Sequence, residues 1–265
     1  MFAVILYHGV DSGGRWDRAM TAVDQEYVLS RARFEQHLDY LARRSVPVCS
    51  LAECRTASFS ESDGALVPAV LTFDDGDVSC YTTTAPILER FGFRGEFFVV
   101  SEWIDRAGFL TRTQLCELAA RGHRIQSHSR THPLLTELDT AAIDEEVMLS
   151  KRELEAMVGA RVEYFSIPNG AYDARVLDAA RRAGYVGVLN SVAGYNHPSR
   201  ADFLLRRFSA RSYTGVGEIA EICERPRYTA VRVACIRTTL SAIKYVLGDR
   251  YDPLRARLIA HKGRQ

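Results

Sequence analysis

The chain has 265 residues, 47% of them hydrophobic, and a formal net charge of +1, which suits one large α/β domain or a domain with an appendage. No stretch approaches the length of a membrane span, and no nucleic-acid partner is expected. The six cysteines at 49, 54, 80, 116, 223 and 235 contain no CxxC pair, so a reducing, cytoplasmic setting is the simpler expectation.

Met1 to His8 has no basic leader and its apolar run breaks at His8, which predicts a first strand and not a signal peptide. Asp11 to Glu26 follows as a polar loop long enough to border a site. Ser30 can cap a helix carrying Phe34, Leu38 and Leu41 on one face, and Val46 to Val48 reads as a short strand. Ser58 to Gly64 is a polar connection. Val70 to Phe73 is a buried strand, and Pro86 and Gly92 bracket the helix after it. Phe97 to Val100 is the next strand. Thr111 to Gln114 fits a capping box, opening a helix with Leu115 and Leu118 inward and Gly122 as its stop. Asp139 or Thr140 caps what reads as the longest helix, with Ile143, Val147, Ser150, Leu154 and Met157 at helical spacing and Gly159 closing it. Tyr164 to Ile167 is a strand, Val176 to Arg182 a short helix and Tyr185 to Leu189 a further strand. This alternation predicts parallel strands with helical crossovers.

Two stretches carry chemistry. Asp74 and Asp75 end a core strand, and adjacent carboxylates imply a cation or a perturbed pKa, although Asp-Asp-Gly is also ordinary turn composition. His128 and His132 stand four apart, a spacing that brings imidazoles together on a helical turn or in a tight loop. One carboxylate and two neutral imidazoles make a three-ligand site for Zn²⁺ or a similar divalent ion. The candidate groups follow several different strands, so a barrel with one catalytic rim is preferred to an open sheet.

Thr72-Phe73-Asp74-Asp75-Gly76 followed by His128-Ser129-Arg130-Thr131-His132-Pro133 resembles the NodB-type polysaccharide deacetylases, metal-dependent enzymes that remove acetyl groups from sugars. The resemblance spans most of residues 1–210. It implies an irregular (β/α)7-type barrel, Asp74 as general base, and Asp75, His128 and His132 as ligands of Zn²⁺, with Co²⁺, Ni²⁺ or Mn²⁺ as alternatives. Pro168-Asn169-Gly170 is where the oxyanion donor is expected. Pro168 has no N–H, so Asn169 or Gly170 must supply it.

Two departures stand out. Many members carry Arg-x-Pro-Tyr where this chain has Ser166-Ile167-Pro168-Asn169, followed by Gly170, Ala171 and Tyr172, closer to a Pro-Tyr-Gly branch. The arginine that would orient Asp74 must then come from elsewhere, and Arg207 is the candidate, with a solvent-facing arginine as the other reading. The usual Leu-x-x-His of the general acid has only a match in letters at Leu258 to His261, read as chance. His8 at the end of the first strand is the alternative acid. His197 reads as loop, and Trp103 and Tyr172 are aromatic faces for a sugar or simply packing.

Residues 225–265 hold ten Lys/Arg against two acids, about +8, leaving about −7 for the rest. The chain therefore divides into a catalytic domain, 1–215, and a basic helical extension, 216–265, with Val233, Ile236, Leu240, Ile243 and Leu247 as one stripe, Gly248 as its end, and Leu254 with Leu258 starting another helix. The extension is a candidate for peripheral contact with an anionic membrane, against the reading of a helix packed across the barrel with a solvated face. The expected substrate is an N-acetylated sugar or glycoside. The competing readings are a carbohydrate-binding or regulatory homologue with weakened catalysis, and an amidohydrolase for a non-acetyl amide.

Overall fold

The computed structural model describes residues 1–11, 25–57, 65–198 and 202–247. Eight parallel strands form one sheet: β1 (Ala3–Tyr7), β4 (Ala69–Phe73), β5 (Glu96–Val99), β6 (Arg124–Ser127), β7 (Tyr164–Ser166), β8 (Gly187–Leu189), β9 (Leu204–Leu205) and β10 (Phe208–Ser209). A separate pair joins β2 (Val10–Asp11) to β3 (Leu29–Ser30). The crossovers carry α1 (Arg31–Arg43), α2 (Leu51–Thr56), α3 (Ala85–Arg90), α4 (Arg112–Ala120), α5 (Thr140–Val158) and α6 (Ala174–Arg182), followed by α7 (Val216–Glu224) and α8 (Pro226–Leu247).

β9 and β10 are two halves of one run, 204–209. The first pairs with β8 and the second with β1, so the sheet curls round and returns to its first strand. The break between the halves has a local cause. Asn196 brackets Arg206 by donating to its carbonyl and accepting from its N–H, both at 2.9 Å, and Arg207 N–H turns away to Val192 O. Arg207 and Phe208 are consequently both buried while Arg206 is exposed.

The strands are buried on both faces, and the period of two divides them. Phe2, Val4, Val70, Phe98, Tyr164, Leu189 and Leu205 share one cluster inside the barrel. Ala3, Ile5, Tyr7, Leu71, Phe73, Phe97 and Phe165 face the helices. α2 plugs the lower end, with Leu51 and Cys54 in the inner cluster and Leu51 N–H donating to the buried Glu96 carboxylate at 2.9 Å. Continuing the inward series upward by twos reaches His8, Asp74, His128, Ser166 and Arg207. Strand periodicity alone thus collects these side chains at the carboxyl ends of the strands.

Most expected elements form where the residues direct. Ser30 caps α1, Thr111 and Gln114 make a reciprocal capping box on α4, Asp139 caps α5, and Gly159 ends α5 at φ +66°. Three features differ. Val46 to Val48 is not a strand but a single bridge from Val48 to Ala69, since Pro47 has no N–H for a ladder. The helix at Pro86 is preceded by a wider π turn, Cys80–Thr84. The longest helix is α8, with 22 residues, rather than α5, with 19.

In α7, Ile219, Ile222 and Cys223 are buried in the main core, so this part of the extension packs with the barrel. Of the stripe expected on α8, Val233 packs against that core while Ile236 and Leu240 are exposed. Gly248, Leu254, Leu258 and His261 lie outside the described residues, as do most of the Asp11 to Glu26 loop and the Ser58 to Gly64 connection. Among the described residues no helix is long and apolar enough to cross a membrane.

Candidate active site

Asp74 and Asp75 leave β4 in opposite senses. Asp74 N–H donates to Tyr7 O and stays on the strand line, which sends its side chain inward. Asp75 then adopts φ +76° and Gly76 φ +80°. A Cβ on Gly76 would stand 2.8 Å from Val99 Cγ1, so this sharp exit requires glycine.

The histidine pair lies in a tight loop after β6, with Ser129 at φ +66° and His132 at φ +67°. Ser129 Oγ accepts from His132 N–H at 3.0 Å, and the two imidazole centroids are 4.8 Å apart. Potential donor atoms of Asp75, His128 and His132 all lie within 4.8 Å of one another. His128 Nε2 is 3.5 Å and His132 Nε2 3.8 Å from Asp75 Oδ1. His128 Nδ1 lies 2.9 Å from Ser166 O. A carbonyl only accepts, so Nδ1 carries a proton, which leaves Nε2, on the side of the carboxylates, as the ring atom that would ligate an ion. The donor set fits a borderline divalent cation.

Asp74 is 2% exposed and receives three donors: Arg207 Nη1 at 2.8 Å on Oδ1, and Arg207 Nη2 and Ser166 Oγ, both at 2.9 Å, on Oδ2. Arg207 is itself 1% exposed, and it also donates to Ser166 Oγ at 2.8 Å and, through Nε, to Asn190 O at 2.9 Å. It is not solvent-facing. Burial alone would raise the Asp74 pKa, but the charges of Arg207 and His128 and the arginine hydrogen bonds outweigh it, and the pKa falls below its ordinary value. Asp75 is half-buried, and against the desolvation that would raise it, its pKa is held well below the carboxylate range by His128, with His8 and His132 adding to it. Burial pushes His132 down to about 4, helped by His128. The same burial would lower His128, but Asp74 and Asp75 win and raise it.

Asp74, Asp75, His128 and His132 line a cavity of about 240 Å³ together with His8, Asn169, Tyr27 and Ser191. The His8 ring packs tilted against Tyr27 at 4.8 Å between centroids, and its Nδ1 is buried with no hydrogen-bond partner among the described residues. Burial lowers its pKa against the opposing pull of Asp75 and Asp74. At the third stretch, Gly170 N–H donates to Ile167 O at 2.9 Å and is spent. Asn169, at φ +57°, is the residue that lines the cavity.

The structure therefore brings together Asp74, Asp75, His128, His132, His8, Asn169 and Arg207. It does not bring in Tyr172, which stands 38% exposed outside the cavity, and Pro168 is buried behind it. Trp103 packs on the His132 ring at 5.2 Å and on Phe109, and His197 lines a different cavity. Sequence reasoning missed Ser166, the hydroxyl between base and arginine. Its signal was positional: it sits at the arginine of the resembled pattern, two residues before Pro168.

Residues 67–188 match the polysaccharide deacetylase family. That segment contains both carboxylates, both histidines and Asn169 in one cavity. YxkH of Bacillus subtilis (strain 168) is 25% identical over 182 residues, 69% of this chain and 61% of YxkH. The chitooligosaccharide deacetylase of Rhizobium leguminosarum bv. trifolii is 35% identical over 118 residues, 43% of this chain and 52% of the relative. The chain thus spans between about half and three-fifths of the length of these curated relatives. Among solved structures, the Streptococcus pyogenes deacetylase PplD, in complex with acetate, superposes with a TM-score of 0.73 at 20% identity, covering 84% of this chain and 98% of PplD. At that identity the likeness speaks for the fold.

Proposed function

We propose that this protein is a divalent-metal-dependent hydrolase that removes an N-acetyl group from an amino sugar or glycoside. One observation carries the reading: the Asp75–His128–His132 donor set opens into the same cavity as an ionised Asp74 clamped by Arg207. A binding protein has no use for a base held beside a metal. Asp75, His128 and His132 would hold the ion, preferably Zn²⁺, which supplies Lewis acidity that lowers the pKa of water from 15.7 towards about 7.

The chain's own groups then divide the work. Asp74, kept ionised by Arg207 and Ser166, takes the proton from the attacking water. The backbone N–H of Asn169 donates to the acyl oxygen as charge develops there, worth roughly 3 kcal/mol. His8 delivers a proton to the departing nitrogen, and its depressed pKa is compatible with handing that proton on. Acetate release from a panel of N-acetylated sugars tests the proposal, using metal-stripped protein with and without Zn²⁺ or Co²⁺ beside Asp74→Asn. Metal-restored release that vanishes in the variant is expected. Stoichiometric metal binding with no turnover across a broad panel would reject it.

A further inference from the structure

We propose that Glu146, on α5, is a positioning residue that holds the histidine loop in its ligating conformation before a metal binds. The proposal deepens the metal-site reading above and rests on it. The problem it solves lies in the backbone. Within residues 128–132, Ser129 and His132 both adopt left-handed φ, and for residues with a Cβ such conformations cost about 1–2 kcal/mol each. Such a loop persists only where its surroundings over-determine it.

Glu146 supplies the determination. Its Oε2 accepts from the N–H groups of Arg130 at 3.0 Å and Thr131 at 2.9 Å, and its Oε1 accepts from Thr131 Oγ at 2.7 Å. The residue is only 9% exposed. Among the described residues none of the ion pairs involves it, so its hydrogen-bonding capacity goes to the loop. A largely buried carboxylate without a cationic partner is costly. An apolar residue here would be cheaper for the helix core, but it would orphan two backbone N–H groups beside the ligands.

The neighbours on the same helical face act in the same direction. Residues 146, 150 and 153 lie one above another. Ser150 Oγ donates to Val147 O, so at 2.8 Å it accepts from Ser127 Oγ, immediately before His128. Glu153 accepts from Arg130 Nε at 3.1 Å and from Ser101 Oγ. The other edge of the loop is tied down as well: Ser129 O and Arg130 O accept from Ser101 N–H at 3.3 Å and Glu102 N–H at 3.0 Å. α5 thereby connects the metal loop to the helical shell.

Glu146→Gln tests this, because the amide keeps the shape but replaces one acceptor oxygen with a donor and cannot serve all three loop donors. In metal-free protein, amide exchange at Arg130 and Thr131 should be protected in wild type and should accelerate in Glu146→Gln. In Co²⁺ titrations followed by the metal's absorption, the variant should bind roughly 10–100-fold more weakly. Thr131→Ala, which removes one leg of the clamp at an exposed residue, should show a smaller loss of affinity and keeps the test alive if Glu146→Gln folds poorly. Glu155→Gln, on the same helix and away from the loop, should bind Co²⁺ like wild type and controls for general weakening of α5. Binding within twofold of wild type in Glu146→Gln, or wild-type amides that exchange as fast as the variant's, would overturn the clamp. Wild-type protein that takes up no Co²⁺ or Zn²⁺ would instead refute the metal-site reading, and the exchange measurement would still decide whether Glu146 holds the loop.

Discussion

Replacing Arg207 with methionine should be among the most damaging single changes in this protein, for reasons that can be worked out from the contacts. Arg207 and Asp74 are 1% and 2% exposed and meet through two parallel hydrogen bonds of 2.8 and 2.9 Å. Removing one partner of such a pair leaves a buried charge uncompensated, a loss of about 3–5 kcal/mol. Asp74→Asn together with Arg207→Met removes both charges, so the double variant should recover about 1–3 kcal/mol relative to the sum of the singles. The pH dependence has a defined sign. Asp74 has a folded-state pKa below its ordinary 3.8, so the pair contributes fully above that value and is lost as pH falls through the folded-state pKa. Urea unfolding of the four proteins at pH 7, repeated at pH 3, reads all of this. Strict additivity at pH 7, or a loss under 1 kcal/mol for Arg207→Met, would refute the argument. Arg207→Lys should fold better than Arg207→Met yet lose kcat at least 100-fold, because one ammonium cannot hold both carboxylate oxygens.

Other outcomes follow from the same contacts. Gly76→Ala, with its Cβ driven to 2.8 Å from Val99 Cγ1 at φ +80°, should cost about 2–4 kcal/mol in urea unfolding and weaken metal binding, since Asp75 is its neighbour. His37 is pushed down to about 4 by burial, its Nε2 bonded to Thr214 O and its Nδ1 facing the Tyr7 hydroxyl. Its unfolded form protonates first, so stability should fall between pH 6.5 and about 4, by up to about 3 kcal/mol from this residue, and His37→Gln should flatten that slope. Chelation should lower the melting temperature of metal-loaded wild type, with about 2.7 kcal/mol at stake at a hundredfold excess of metal over Kd, and should leave Asp75→Asn unmoved. His8→Gln should bind metal normally while kcat for an N-acetyl sugar falls about 100- to 10,000-fold, and an unchanged kcat would remove His8 as the acid.

What could be read from the sequence depended on how far apart the cooperating residues lie along the chain. The strand-helix alternation, the caps of α1, α4 and α5 and the parallel sheet were all legible because each is set within a few residues. The proposed metal ligands were legible for the same reason: a carboxylate at a strand end and two histidines four apart are local patterns. Val46 to Val48 failed as a strand because apolar, β-branched composition says nothing of the missing Pro47 donor. The π turn before α3 has no composition of its own to betray it.

Asp74's partners were harder to see because they depend on barrel closure. Arg207 comes from the last run of the sheet, 204–209, and Ser166 from β7. They approach a carboxylate on β4 that is adjacent to neither strand. In sequence Arg207 looks like its neighbour Arg206, and only the Asn196 bracket, which turns the one outward and leaves the other buried, tells them apart. The same closure explains the distribution of roles along the chain. The segment 67–188 contains the proposed ligands and base, while His8 lies before it and Arg207 after it, on strands paired to each other through β1 and β10. A chain cut after Asp202 should therefore retain the metal donors but lose the cation that keeps Asp74 ionised in its buried position. The proposed chemistry thus requires the barrel's final strand, even though that strand carries none of the residues by which the metal site is recognised.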